Sequence, residues 1–461
     1  MLLQTDGTVM VLETNTNQWH KLTPDNKGSY INGSWSKLRP MNDDARIPVA
    51  KGGPTYAPLY FASAILKTGK VLVAGGEYNT GIGSAESIVA QVYDPVTNKW
   101  KTIGSPPGWT QIGDSASCVL PDGRVMVGHD TDTIAFLNPR TLKWKLSGGT
   151  KGDSSSEETF TLLPDHTVLS VQCSNSPNAE KYIIATDKWV SAGATKSALP
   201  QPCPGYVAEI GPALLLPNGH VFAIGATGNT GIYIPKKHHP HHPGTWKKGP
   251  VMKDSTGATK AAMDAPAVLL INGKVLCIGS PVPNCGYPGP TSFFEYTPST
   301  NKIKEIATPF TVANACYWGR FLLLPNGEVL FGWGTKDLRV YLSGGTPHHT
   351  WRPKITQHPK HVKNGKTYTL KGKQINGLSQ ACSYGDDAQS ATNYPIIQVT
   401  NPVTHHVHYL RSHDFSNMGV ATGHAVHSCK FRVKGLAHNT KYELRVIANG
   451  IASAAVHIKC I

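Results

Sequence analysis

One phrase recurs along this 461-residue chain and restricts its fold more than any other feature. An apolar strand, a tight polar turn and a second apolar strand repeat about every 50 residues. Asparagine or aspartate followed by glycine favours the left-handed backbone of a hairpin turn, so each copy predicts a β-hairpin. The turns lie at Asp6-Gly7, Thr68-Gly69, Asp122-Gly123, Asp165-His166, Asn218-Gly219, Asn272-Gly273 and Asn326-Gly327.

Most copies are followed by a second strand and turn that end in a tryptophan. These tryptophans are Trp19, Trp100, Trp144, Trp189 and Trp246, whereas the sixth copy has Ile303 instead and the seventh keeps only Trp351. Two hairpins make a four-stranded sheet with apolar residues on both faces, which one sheet cannot bury alone. Neighbouring sheets therefore stack until the ring closes. The repeats predict an all-β fold with a seven-bladed β-propeller over residues 1–352.

The remaining residues, 353–461, lack the repeat but still alternate apolar and polar positions. Segments 367–370, 442–451 and 455–459 have the composition of strands. They predict a second domain, an immunoglobulin-like β-sandwich.

Three features carry a resemblance to a known family. They are the Gly75-Gly76 pair, the phrase Tyr-Asp-Pro-x-Thr-x-x-Trp at 93–100, and the Pro-Asp-Gly turns. Together they resemble the kelch propellers of the galactose oxidase and glyoxal oxidase superfamily, whose members also carry a C-terminal immunoglobulin-like domain. The segments 377–380 and 384–389 resemble a bacterial kelch-like branch of unassigned activity.

The resemblance implies a copper-radical site of two tyrosines, two histidines and a cysteine cross-linked to one tyrosine. Tyr317 matches one tyrosine, but Trp318 stands where the family has a histidine, and an indole cannot bind copper. His413 matches the second histidine, which the family brings into the propeller from a C-terminal loop. No residues match the cysteine–tyrosine pair, so the sequence argues against copper. The alternative is that Tyr317 and Trp318 pack around the axis and that His413 bonds Asp414 or a loop carbonyl.

Acidic residues recur seven or eight positions before the turn proline or its equivalent, and Tyr317 takes this slot in the seventh copy. Because the strand that follows lies beside the axis, equivalent positions would direct their carboxylates into one mouth of the channel. Crowded carboxylates repel unless a cation or a polar ligand neutralises them, so we expect a Ca²⁺-like ion or a polar ligand there. The alternatives are hydrogen bonds to backbone amides at the start of each blade, and a glycosidase pair. The acidic residues are Asp114, Glu157, Glu158, Glu209 and Asp264.

Charge and cysteine content indicate which partners and which compartment suit the protein. The formal net charge of +15 suits a glycan or protein partner on an anionic surface, or self-assembly on an anionic particle. The lysines are scattered and no nucleic-acid motif accompanies them, which argues against nucleic acid. Nine cysteines without a CxxC pair indicate an oxidising compartment with some disulfides rather than a zinc site. The histidines at 238–242 and 405–427 are interpreted mainly as loop and surface positions.

These observations favour a non-catalytic binding or structural protein that is extracellular, secreted or on a particle surface. No stretch approaches the roughly 18 apolar residues of a membrane-spanning helix. The alternative function is a diverged copper-radical-type oxidase or a carbohydrate-active enzyme that uses the axial face of the propeller.

Overall fold

The computed structural model describes residues 1–204, 208–236, 239–384 and 390–461. Within these ranges the chain forms strands, turns and short 3-10 helices but no α-helix, which confirms the all-β prediction. Among the described residues, no helix has the length and apolar character that crossing a membrane requires. The 3-10 helices are Val49–Lys51, Cys316–Trp318 and His349–Trp351.

Seven successive antiparallel sheets lie in the described residues up to Tyr341. Sheet 1 contains Leu2–Leu3, Val9–Leu12, Trp19–Thr23 and Ser34–Lys37. Sheet 2 contains Ala62–Ile65, Val71–Ala74, Ala90–Asp94 and Lys99–Ile103. Sheet 3 contains Ser117–Val119, Val125–Val127, Ala135–Leu137 and Trp144–Leu146. A separate pair, Pro58–Leu59 with Tyr78–Asn79, precedes and interrupts sheet 2.

The remaining four sheets follow the same order. Sheet 4 contains Thr161–Leu162, Thr167–Val171, Asn178–Ile183 and Lys188–Ala194. Sheet 5 contains Ala213–Leu215, Val221–Ile224, Thr230–Ile234 and Thr245–Lys248. Sheet 6 contains Ala267–Leu269, Val275–Pro281, Ser292–Thr297 and Lys302–Ile306, with Lys260–Ala261 paired to its second strand. Sheet 7 contains Arg320–Leu323, Val329–Gly332 and Arg339–Tyr341.

The first hairpin of these sheets turns where the sequence predicts it. Gly123 and Gly219 have φ angles of 92° and 84°, a region that side chains with a Cβ rarely enter. In sheet 4, His166 replaces the glycine and still adopts a φ of 63°. The turn conformation is therefore kept even where its preferred residue is missing.

The tryptophans join neighbouring sheets. Trp100 is buried and donates its indole N–H to the carbonyl of Arg39, 2.9 Å away, just after the last strand of sheet 1. Trp246 makes the same contact with Ala192 at 3.0 Å, from sheet 5 to sheet 4. Burial of a large ring together with a satisfied N–H makes Trp100 and Trp246 links between adjacent sheets.

The sheets pack side by side around a common axis. From sheet 2 to sheet 7, the first strand of each sheet contacts the first strand of the next. One apolar cluster contains Leu2 of sheet 1, Val73 of sheet 2 and Leu330 of sheet 7, so the two ends of the series meet. This is the arrangement of a β-propeller.

The C-terminal region forms two further sheets that face each other. One contains Lys354–Gln357, Thr367–Lys373, Val426–Arg432 and Ser412–His413. The other contains His361–Val362, Val456–Cys460, Thr440–Ala448, Ile396–Thr400 and Val407–Leu410, with Ile451–Ala452 paired to Thr440–Ala448. Leu370 and Phe431 from the first sheet share one buried cluster with Val399 and Leu444 from the second, which makes this region a sandwich.

One segment of the sandwich, residues 375–384, enters the propeller and is called here the axial segment. Within it, Cys382–Ser383 pairs with the first strand of sheet 6. The amide oxygen of Gln380 accepts a hydrogen bond from the backbone of Leu162 in sheet 4, at 2.9 Å. The thiol of Cys382 lies 3.4 Å from the backbone nitrogen of Leu323 in sheet 7. Contacts with sheets on several sides of the ring place this segment at the axis.

Candidate functional site

A cavity of ≈ 290 Å³ lies where the axial segment ends. Tyr60, Asp114, Glu157, Glu209, Asp264 and Tyr317 line it, one from the residues just before the first strand of each of sheets 2 to 7. These six residues share a slot in the repeat, so the propeller symmetry brings them to one mouth of the channel. We call this space the axial cavity and its acids Asp114, Glu157, Glu209 and Asp264 the axial carboxylates.

Three axial carboxylates lie close together. Glu157, Glu209 and Asp264 each offer an oxygen within 4.8 Å of the others. Glu157 and Asp264 have φ angles of 60° and 48°, left-handed conformations that cost free energy and often occur at functional sites. The backbone N–H of Asp264 donates to the carbonyl of Ile210 at 3.0 Å, which holds it beside Glu209.

Tyr287 covers two of these acids from the loop between the second and third strands of sheet 6. Its hydroxyl lies 2.9 Å from Oε1 of Glu209 and 3.1 Å from Oδ2 of Asp264. Partial burial and the negative charges of Asp264 and Glu209 raise the pKa of Tyr287 well above its usual value, so the phenol stays protonated. Its ring is 45% exposed and closes one side of the cavity.

An aromatic wall forms the other side of the cavity. The ring of Tyr317 lies 4.8 Å from that of Tyr287 and 6.3 Å from that of Tyr60. Tyr384, at the end of the axial segment, donates its hydroxyl to the carbonyl of Tyr317 at 2.8 Å. The Arg320 guanidinium stacks on the ring of Tyr384 at 3.7 Å. The aromatic-packing interpretation of Tyr317 therefore agrees with its surroundings.

Glu158 does not join the axial carboxylates, contrary to its grouping with them from spacing. It is fully buried and accepts hydrogen bonds from the backbone N–H of Cys173 at 3.1 Å and from the hydroxyl of Ser170. Glu157 lies in a turn with a left-handed φ of 60°, and of these two neighbours only Glu157 lines the cavity. Glu158 therefore accepts from a backbone amide, but that amide follows the second strand of sheet 4 and does not lie at the start of a blade, where the alternative interpretation placed it.

Glu158 belongs instead to a cluster around a buried lysine, called here the lysine cluster. Lys151 Nζ lies 2.7 Å from Glu158, 2.6 Å from Glu180 and 2.8 Å from Asp153. Burial lowers the pKa of Lys151, but the charges of Glu158, Glu180 and Asp153 outweigh it, so the net shift is upward and the ammonium persists. Burial raises the pKa of Glu158 to about 8.

His413 lies in the sandwich, in the strand Ser412–His413, and does not line the axial cavity. Its ring is 3.2 Å from the carboxylate of Asp414, as the alternative interpretation proposed. Among the described residues, the part of the sandwich that enters the propeller is the axial segment, and it contains no histidine. The expected delivery of His413 into the propeller is therefore wrong.

The donor atoms around the cavity do not suit a copper-radical site. The described residues that line it include neither histidine nor cysteine, and their donors are carboxylate and phenol oxygens. Copper in such sites needs imidazole nitrogen, whereas oxygen-only sets suit Ca²⁺, Mg²⁺ or Mn²⁺. Trp318, in the family's histidine position, lines the cavity with its ring 5.5 Å from that of Tyr317.

Several residues of the cavity were missed by sequence reasoning. Tyr60 lies seven positions before Lys67, which stands where other copies have the turn proline, so the same rule could have found it. Tyr287 and Tyr384 could not have been found in this way. Tyr287 comes from a loop within sheet 6, and Tyr384 comes from the axial segment, so neither occupies the repeated position. Residues 385–389, part of the noted bacterial resemblance, and residues 237 and 238 of the histidine-rich loop lie outside the described residues.

Comparison with solved structures identifies the fold. A fungal alcohol oxidase of the AA5 family, solved in complex with copper, aligns with 100% of this chain and 98% of its own, at a TM-score of 0.53 and 14% identity. The fold is galactose-oxidase-like. A second structure, YCF48 bound to D1 peptide, aligns with 75% of this chain and 95% of its own, at a TM-score of 0.46 and 11% identity. No family model and no curated protein matches the sequence.

Proposed function

We propose that this protein is a non-catalytic binding protein whose axial cavity holds a divalent cation of the Ca²⁺ class. The observation that carries the proposal is the mutual approach of Glu157, Glu209 and Asp264 within 4.8 Å. Ionised carboxylates at this separation repel one another, and a bound dication converts the repulsion into attraction. Asp114 and Glu77 line the same cavity and add to the negative charge.

The spacing of the oxygens supports a single shared ion. Ca²⁺ binds oxygen at about 2.3–2.6 Å, so two ligands on opposite sides of one ion lie roughly 5 Å apart. The flexible geometry of Ca²⁺ also tolerates acids that come from three different sheets, whereas Mg²⁺ demands a nearly ideal octahedron. Both considerations favour Ca²⁺ over smaller ions.

The oxidase alternative has weaker support. The similarity to the fungal oxidase is a similarity of fold at 14% identity, and the cavity has no described histidine or cysteine donor. The same fold supports many unrelated functions, so the donor set must decide, and it favours binding.

The partner we propose is an anionic glycan or acidic protein surface outside the cell or on a particle. A net charge of +15 attracts polyanions over the surface as a whole. Ca²⁺ binds up to eight oxygens, about twice the number of axial carboxylates. Remaining positions of the ion, beside the aromatic wall, suit the hydroxyl or carboxylate oxygens of such a partner.

Calorimetric titration of chelator-treated protein with Ca²⁺ tests the proposal, together with thermal unfolding. We expect binding of one ion, and stabilisation of about 2.7 kcal/mol when free Ca²⁺ is a hundredfold above Kd. The double variant Asp114→Asn with Asp264→Asn is expected to remove both effects. Asp43→Asn with Asp337→Asn removes the same charge from exposed positions and is the matched control. A melting curve indifferent to Ca²⁺ and chelator would contradict the proposal.

A further inference from the structure

Two cysteines lie together at the edge of the axial cavity. The thiol of Cys285 is 3.7 Å from the carbonyl of Pro202, and the Cys203 and Cys285 side chains are within hydrogen-bonding distance. All nine cysteines are in the described part of the chain, and Cys203 and Cys285 are the two that are not buried. Their contact joins segments 82 positions apart in the sequence.

Both segments carry residues of the cavity. Cys203 lies between Gln201 and Glu209, whose backbones are paired with N–O distances of 2.8 and 3.2 Å. Cys285 lies two residues before Tyr287, whose hydroxyl contacts Glu209 and Asp264. A covalent bond between the two sulfurs would therefore tie the Tyr287 loop to the segment that supplies Glu209.

We propose that Cys203 and Cys285 form a disulfide that fixes the Tyr287 loop over the axial carboxylates. The oxidant is a disulfide such as oxidised glutathione. The Cys285 thiolate attacks one glutathione sulfur, the glutathione S–S bond breaks, and one glutathione leaves. The Cys203 thiolate then attacks Cys285 in the mixed disulfide and expels the second glutathione. Two cysteine thiols are oxidised, one glutathione disulfide is reduced, and both protons pass to the released thiolates.

The exposure of the two thiols decides the order of these steps. Cys285 is exposed, whereas burial and the hydrogen bond with Cys285 raise the pKa of Cys203 to about 11. The thiolate is the attacking form, so Cys285 reacts first. The seven other cysteines are buried and inaccessible to the oxidant, and burial raises the pKa of Cys118 and of Cys382 to about 12.

Thiol labelling and mass spectrometry test the disulfide independently of any bound ion. Iodoacetamide added to the native, reduced protein is expected to modify Cys203 and Cys285 alone. After incubation with oxidised glutathione, neither should react, and trypsin should release peptides 197–236 and 275–302 as one linked species. Fragment spectra separate Cys285 from Cys277 in the second peptide. Persistent labelling, or glutathione bound to Cys285 without the linked species, would overturn the proposal.

Single variants provide the control. Cys285→Ser changes an exposed side chain and should fold normally, while Cys203 stays open to iodoacetamide after oxidation. Cys203→Ser should stop the reaction at the mixed disulfide on Cys285. Appearance of the linked peptide pair in Cys285→Ser would assign the link to Cys277 and reject the Cys203–Cys285 bond.

The effect on the cavity rests on the proposed function and has its own measurement. Oxidised protein should exchange Ca²⁺ several-fold more slowly than reduced protein in stopped-flow chelation, and Cys285→Ser should not respond to the oxidant. Equal Ca²⁺ exchange rates in oxidised and reduced protein, with the linked peptides present, would show that the disulfide forms but does not slow Ca²⁺ exchange. Absence of any Ca²⁺ binding would refute the proposed function and leave the labelling result unchanged.

Discussion

Glu157 and Glu158 are neighbours in sequence, yet each belongs to a different carboxylate cluster. Glu158 joins Asp153 and Glu180 around Lys151 Nζ, at 2.6 to 2.8 Å, where all four side chains are buried. Glu157 joins Glu209 and Asp264 at the edge of a cavity of ≈ 290 Å³. Both clusters bring three carboxylates together. In the first, the ammonium of Lys151 lies at the centre, and in the second the three acids line a cavity.

The lysine cluster and the axial carboxylates show how a structural acidic cluster differs from an ion-binding one. Lys151 supplies charge and hydrogen bonds from within the fold, so removing it would leave three buried carboxyl groups without their cation. The described residues that line the axial cavity include no lysine or arginine, and the cavity itself is large enough for an ion with several oxygens. We therefore assign stability to the first cluster and ion binding to the second.

The largest expected effect comes from removing the internal cation. Lys151→Met leaves Asp153, Glu158 and Glu180 buried without their ammonium, and we expect a loss of about 3–5 kcal/mol in the free energy of unfolding. Urea unfolding measures it. Lys274→Met is the control, because Lys274 lies at the same 2.7 Å from Glu295 but is 39% exposed, and should cost about 0–1 kcal/mol. Equal losses in the two variants would contradict the structural role of the lysine cluster.

The second expected effect is a dependence of stability on pH, smaller than the first for each pH unit. Burial raises the pKa of Glu158 to about 8, above its ordinary value of 4.5, so between these values the folded protein holds a proton that the unfolded chain releases. Stability from this group is complete below pH 4.5 and falls as pH rises to 8, by up to about 1.4 kcal/mol per pH unit.

Urea unfolding of the wild type and of Glu158→Gln across this window measures the slope. Glu158→Gln has no proton to lose in this pH window, so its stability should not fall with pH through this group. The loss of unfolding free energy caused by the substitution should therefore shrink as pH rises. A cost that does not change across this window would mean that Glu158 is already ionised in the folded protein and paired with Lys151 as a full ion pair.

The comparison also shows what the sequence can predict. Turn residues such as Asp122 and Gly123 determine local backbone conformation, so the hairpins could be read directly from the repeat. The recurrence of acids seven or eight positions before the turn proline predicted that Asp114, Glu209 and Asp264 lie at one mouth of the channel. The prediction works because equivalent positions in a propeller converge on the axis. It could not choose between Glu157 and Glu158, since the left-handed turn at Glu157 that separates the two side chains is not encoded in the spacing of the acids.

Contacts between distant segments were beyond such reasoning. Tyr384 reaches the cavity because the axial segment is anchored by Asn449, whose Oδ1 accepts from the backbone of Leu378 at 2.8 Å. Neither residue has a local pattern that predicts this contact. The resemblance pointed to a C-terminal loop that enters the propeller, but the loop with a histidine was not the one that enters.

Tyrosine-sensitised terbium luminescence tests the central claim most directly, because Tb³⁺ replaces Ca²⁺ at oxygen sites and Tyr287 and Tyr317 line the cavity. We predict emission that saturates at one Tb³⁺ per chain, is displaced by Ca²⁺, disappears in Glu157→Gln and persists in Glu158→Gln. Tryptophan fluorescence establishes that both variants are folded. Emission unchanged in Glu157→Gln, or absent from the wild type, would contradict an ion site at the axial carboxylates.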